Sequence, residues 1–283
     1  MKTLNKIKIL TYLLLIIGIA SSCKKNKSIE PEEEEVTTPS TPNNLIKIGE
    51  TYIVGANAKA SVYTDKAFET GYNLIYVAFT DSTDGSALNM GHCTISPLMN
   101  MGSMSHGSPV ENTSDTISTN GYFRSAVIFS MAGTASQWSL NINFHNHKNG
   151  KSGLGSLGVD VAASSPSKFK SVVLALDSNK KVFISLVQPT NPVVGTNNFE
   201  ITLHQRVNGM TYPFIDQYTV EIEPEMPSMG HGSPNNINPT HVGKGHYSGK
   251  VNYTMSGLWY VHLKLYKNGT LISDDQYFEM TLQ

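Results

Sequence analysis

The chain has 283 residues and a formal net charge of −1, with 39% hydrophobic and 15% charged residues, enough for two domains of ordinary size. No basic stripe runs through it, which excludes a nucleic-acid partner. Its eleven methionines and nine histidines are clustered, and cysteine is nearly absent.

Lys2, Lys6 and Lys8 precede the apolar run from Ile9 to Ala20, which is short for a membrane span. Small residues "ASS" then lead to Cys23. This order resembles a bacterial lipoprotein signal, although Ala20 stands where such signals usually have leucine. Residues 1–22 are expected to be the signal peptide, with Cys23 lipidated as the mature N-terminus; plain secretion is the alternative. Cys93 is then the only other thiol, a reactive or metal-bound sulfur if exposed and a small apolar residue if buried. Residues 23–45 hold Pro, Thr, Ser and the Glu32–Glu35 run, a composition that cannot bury enough surface to order itself. They are expected to be a disordered tether.

From residue 46 the period-two pattern of half-buried strands takes over, in "TYIVGANAKASVYT", "YNLIYVAFTDS", "GYFRSAVIFSMAG" and "QWSLNINFHN". Asp84-Gly85 reads as a hairpin-type turn. The second half repeats the order, with "KKVFISLVQ", "FEITLHQRV", Asn208-Gly209 as the turn, and "YTVEIEP". Gly85 aligns with Gly209, Tyr122 with Tyr247, Met131 with Met255, Gly133 with Gly257, and Trp138 with Trp259. This is an internal duplication of about 115 to 120 residues. Seven or so short strands per copy predict an all-β fold of two tandem immunoglobulin-like β-sandwich domains, residues 46–165 and 166–283. The boundary falls in "AASSPSK".

Between equivalent strands each copy carries a Met/His segment, "MGSMSHGSP" at 101–109 and "MPSMGHGSP" at 226–234, which agree at seven of nine positions. Thioether sulfur is a soft, neutral ligand that suits Cu(I), and imidazole serves Cu(I), Cu(II) and Zn(II). The set favours copper over zinc and disfavours the oxygen-seeking calcium and magnesium. The expected ligands are Met101, Met104 and His106 in copy one, and Met226, Met229 and His231 in copy two. Further candidates are Met90, His92, Met99 and Met131 in copy one, and His241, His246 and Met255 in copy two. For Met131 and Met255, core packing is the expected role. The segments have a purely structural reading too, in which the Gly-Ser-Pro turn serves the fold and methionine fills gaps.

His145 and His147 lie two apart and share one strand face, as an imidazole pair or as solvated side chains. No G-x-S-x-G, H-E-x-x-H or phosphate-binding glycine loop occurs, and no carboxylate pair stands out, so no enzymatic activity is expected.

The run "MPSMGHG", Gly-His-Tyr, strand, "TMSGLWYVHLKL" resembles the YtkA-like/FixH-like module, best over residues 195–270. Copy one departs from it by an insertion between Gly133 and Trp138 and by Ser105 before the histidine. The resemblance implies an exported or membrane-anchored β-sandwich associated with copper rather than a catalyst. It touches Met226, Met229, His231, Gly245, Tyr247, Gly257 and Trp259. The expectation is therefore a copper-binding lipoprotein of the cell envelope, at the outer membrane or cell surface. It would be tethered to the membrane by lipid and buffer, resist or hand on Cu(I), with a copper-transfer protein as partner. The rival expectation is a non-metal surface interaction or adhesion protein.

Overall fold

The computed structural model describes residues 44–283; the expected signal peptide, Cys23 and the tether up to residue 43 lie outside the described residues. The first half contains β1 (Ile46–Ile53), β2 (Ala58–Thr64), β3 (Gly71–Asp81), β4 (Gly91–Asn100), β5 (Ser105–His106), β6 (Val110–Glu111), β7 (Phe123–Phe129), β8 (Trp138–Asn146) and β9 (Lys151–Gly158). The second contains β10 (Phe169–Leu174), β11 (Lys180–Gln188), β12 (Gly195–Arg206), β13 (Tyr218–Met226), β14 (His231–Gly232), β15 (Ile237–Gly243), β16 (His246–Tyr253), β17 (Gly257–Lys267) and β18 (Thr270–Leu282). Alternation drives them: inward and outward residues take turns along β4, β8 and β13, so one face of each strand is buried.

The strands form four sheets. In the first half the orders are β1-β2-β3-β7-β6 and β5-β4-β8-β9; in the second they are β10-β11-β12-β16-β15 and β14-β13-β17-β18. Adding nine to every strand number of the first half gives the second, so the duplication extends to the whole topology. The all-β expectation of tandem sandwiches holds. There are nine strands per half rather than seven: part of each Met/His segment pairs with a neighbour, as β5 against β4 and β14 against β13, and the stretch after it pairs again, as β6 against β7 and β15 against β16.

Each half has its own hydrophobic core, with Trp138 in one and Trp259 in the other fully buried. Their indole N–H groups donate to the backbone carbonyls of Met131 (3.0 Å) and Met255 (3.1 Å), so neither buried ring leaves a donor unpaired. Cys93 faces inward from β4, and burial pushes its thiol up to about 12, which makes it an inert core residue.

The two turn expectations hold locally. Asp84-Gly85 follows β3 and leads to β4, and Asn208-Gly209 follows β12 and leads to β13, but each of these strand pairs lies in different sheets. At each turn the chain first folds back on the strand it leaves, with the Asp81 N–H donating to the Ser86 carbonyl at 2.8 Å and the Leu88 N–H to that of Phe79 at 2.9 Å, and with the Gln205 N–H donating to the Pro213 carbonyl at 2.8 Å. It crosses to the other sheet only beyond these short fold-backs. A true two-residue hairpin lies at Asn268-Gly269, where Lys267 pairs with Thr270 and both turn residues have positive φ, 50° and 78°.

The halves also touch directly. The Gly107 N–H donates to the Gly209 carbonyl at 2.7 Å, and the Tyr212 hydroxyl lies 3.0 Å from the Gly107 carbonyl. Lys168 pairs with Glu69 at 2.8 Å.

Candidate metal centre

The Gly-Ser-Pro stretch does the same work in both halves. Ser108 donates its hydroxyl to the carbonyl of Ile128, and Ser233 donates to that of Asn252, fixing each segment to the end of the strand behind it. The preceding histidine then turns its Nδ1 onto a backbone carbonyl: His106 to Gly107 at 2.7 Å, His231 to Gly232 at 2.9 Å. A carbonyl only accepts, so Nδ1 carries the proton and the Nε2 lone pair is left available. Each ring also stands edge-on to its tryptophan, His106 to Trp138 at 5.6 Å and His231 to Trp259 at 5.7 Å.

Strand pairing revises which methionines correspond. Met99 pairs with His106 across β4–β5, and Met226 pairs with His231 across β13–β14. Both are core residues, 2% and 5% exposed. The structural partner of Met226 is thus Met99 rather than Met101. The connection after Met99 is two residues longer, and Met101 belongs to that extension. Met226 cannot join Met229 and His231 around an ion while it packs beneath Gly257, so the local three-ligand set expected in the second half is not assembled.

In the first half the picture is different. His106 Nε2 lies 3.3 Å from the sulfur of Met131. Met131 follows the end of β7 and is 39% exposed, so the packing role expected for it does not hold. Its backbone is held by Trp138, which leaves the thioether free to face the histidine. A cavity of about 490 Å³ opens beside this pair. Met101, Met104, His106 and Met131 line it from the first half, and Phe183, Lys181, Arg206 and Tyr212 close it from the second. Met104 is 61% exposed.

The remaining candidates lie elsewhere. Met90 and His92 are exposed at the far end of β4. His241 is exposed on β15, accepts from the Gly245 N–H at 3.3 Å and packs on Tyr247. His246 is engaged by two carboxylates. Met255 is half-buried against the second core, in line with its expected packing. Met229 is 59% exposed. His231 lines a shallower cavity of about 400 Å³ with His262 and Glu225, which lie 2.9 Å from each other.

A family model described as YtkA-like matches residues 178–264, from just before β11 into β17. No curated protein matches the chain. Solved structures align at low similarity. The Escherichia coli adhesin FdeC is 16% identical over 82% of this chain and 66% of its own, with a TM-score of 0.25. Domains 5–6 of the S-layer protein SbsC are 10% identical over 84% of this chain and 98% of theirs, with a TM-score of 0.30. The fibronectin(III)-like modules of Clostridium thermocellum CbhA are 12% identical over 78% and 94%, with a TM-score of 0.23. The chain spans about two thirds of the adhesin. The match falls within the second sandwich, whose strand order the first repeats.

Proposed function

We propose that the chain is a membrane-tethered, copper-binding lipoprotein of the cell envelope that takes up Cu(I) at the first sandwich, for buffering, resistance or transfer to a partner protein. The observation that carries this reading is the 3.3 Å approach of His106 Nε2 to Met131 sulfur. With Nδ1 donating to a carbonyl, the neutral tautomer of the ring turns its Nε2 lone pair toward the thioether. Metal bonds of about 2.0 Å to nitrogen and about 2.3 Å to sulfur, at an angle near 100°, place the two atoms about 3.3 Å apart. Met101 and Met104 line the same cavity and supply the third and fourth soft donors. Lys181 and Arg206 on the opposite wall repel a divalent ion twice as strongly as a monovalent one, which favours Cu(I).

The test is titration of the full chain with Cu(I) under reducing conditions against a chromophoric chelator. One tight equivalent, lost when His106→Ala is combined with Met131→Leu, is the expected result. Binding no tighter than that of free methionine overturns the proposal. The competing reading, a non-metal interaction module, draws on the exposed apolar side chains Val207, Met210 and Phe214 in the β12–β13 connection. It predicts no such equivalent.

A further inference from the structure

The outer face of the β4–β8 pair carries three histidines that the soft site does not use. His92 in β4 sits directly opposite His145 in β8. Alternation sends their neighbours Cys93 and Phe144 into the core and both histidines outward. His147 follows two residues after His145, and its backbone N–H donates to the Met90 carbonyl at 3.3 Å, which holds it beside the start of β4. Ring centroids are 4.8 Å apart for His92 and His147, 5.4 Å for His145 and His147, and 6.0 Å for His92 and His145.

We propose that His92, His145 and His147 form a divalent transition-metal site, separate from the Met/His cavity, that prefers Cu(II) and takes Zn(II) next. An imidazole bound at about 2.0 Å has its centroid about 3.2 Å from the ion, so two such rings sit about 5 Å apart at tetrahedral angles and about 6 Å apart as the angle opens. The three observed spacings span that range. Among the described residues no three His, Cys, Asp or Glu side chains already converge on one ion position, and these rings meet at mixed angles, two of the contacts edge to face. Binding therefore requires ring rotation. His92 and His147 are exposed and His145 is half-buried, so rotation disturbs no core packing.

The hydrogen bonds fit this role. His145 Nδ1 is paired with the Ser152 hydroxyl at 2.9 Å, which orients the ring and leaves Nε2 to ligate. Among the described residues the ring nitrogens of His92 and His147 have no hydrogen-bond partner, and none of the three rings pairs with a carboxylate, unlike His246 and His262. A set of three imidazoles without thioether suits borderline divalent ions and leaves a coordination position open for water or a partner's ligand. Copper(II) heads the affinity order among them.

The proposal stands independently of the Cu(I) reading, and one experiment separates them. The full chain in detergent is titrated with Cu(II) against a competing chelator and followed by electron paramagnetic resonance. The expected result is one equivalent with couplings from three nitrogens. His145→Ala with His147→Ala lowers affinity at least 100-fold, while Met101→Leu with Met104→Leu and Met131→Leu leaves it unchanged. Equal affinity in wild type and the double histidine variant, or loss only in the thioether variant, overturns the assignment. Unchanged circular dichroism of the histidine variant establishes that it is folded.

Discussion

His246 in the second sandwich lies 2.9 Å through Nε2 from Glu111 in the first, while its Nδ1 lies 2.5 Å from Glu200 beside it. One ring thus links the halves, with Tyr72 edge-on to it at 5.6 Å and donating its hydroxyl to Glu111 at 3.3 Å. Burial opposes the charge on His246, but the hydrogen bonds to Glu111 and Glu200 outweigh it and raise its pKa to about 9. The neighbouring His204 goes the other way: burial lowers it to about 4, and its Nδ1 has no partner.

These two shifts set the pH dependence of the junction. A histidine with a raised folded pKa contributes stability fully below 6.5, and loses it as pH climbs through about 9. A histidine with a lowered pKa costs nothing above 6.5 and destabilises progressively as pH falls toward about 4. Stability from this pair therefore peaks near pH 6.5. Glu111→Gln is expected to cost about 1–2 kcal/mol at pH 6.5, a fall of roughly 3–6 °C in Tm, and almost nothing at pH 10. Thermal unfolding at the two pH values checks this; an equal loss at both would assign the effect of Glu111 to something other than the charged histidine.

A second expectation concerns methionines that look alike in the sequence. Met226→Ala empties part of a packed core and is expected to cost about 2–5 kcal/mol, whereas Met229→Ala removes an exposed side chain and stays within about 0.5 kcal/mol. The same contrast holds between Met99 and Met104 in the first half. Chemical denaturation of the four variants measures it, and equal costs for Met226 and Met229 would contradict the strand pairing described above.

That contrast marks how far the sequence could be read. Alternating strands and the paired tryptophans were legible, because burial on one face imposes a period of two on the residues themselves. The offset that aligns the two Met/His segments letter by letter was misleading for Met101 and Met226. Local similarity follows the loop, but the ladder between β4 and β5 decides which methionine enters the core. Met131 reads as a core residue because it looks like part of a strand just before a Gly and the Trp; only the fold shows that β7 has ended and that His106 lies opposite. The Asp84-Gly85 and Asn208-Gly209 turns were recognised, yet a turn signal carries no information on whether the next strand stays in the sheet. The contact of His92 with His145 and His147 depends on cross-strand register, which no local pattern encodes.

Glycine 257 offers a sharper probe of the second core. It has φ of +123°, and a Cβ built there would meet the Met226 terminal methyl at 2.5 Å. Gly257→Ala is expected to cost about 2–3 kcal/mol, from backbone strain and the clash together. Met226 is flexible, so shortening it in the Gly257→Ala background relieves only the clash. The double variant is then less destabilised than the sum of the two single changes, by about 1 kcal/mol, in denaturant titrations. Strict additivity would mean that the methyl group is not the obstacle.

The soft site makes the most direct demand on Met131. Met131→Leu keeps the volume and the apolar character of an exposed side chain, so stability should change by less than about 0.5 kcal/mol. What it removes is the sulfur facing His106 Nε2. Loss of one of four donors is expected to weaken Cu(I) binding by about tenfold or more, about 1.4 kcal/mol. Met255→Leu provides the matched control, since its side chain packs against the second core and, among the described residues, the hydrogen bond of the His231 ring goes to the Gly232 carbonyl rather than to the Met255 sulfur. Competition with a Cu(I) chelator on both variants decides the matter. If Met131→Leu and Met255→Leu bind Cu(I) alike, the His106–Met131 approach is a packing contact; if only Met131→Leu weakens, the donors of the first sandwich act together on one ion.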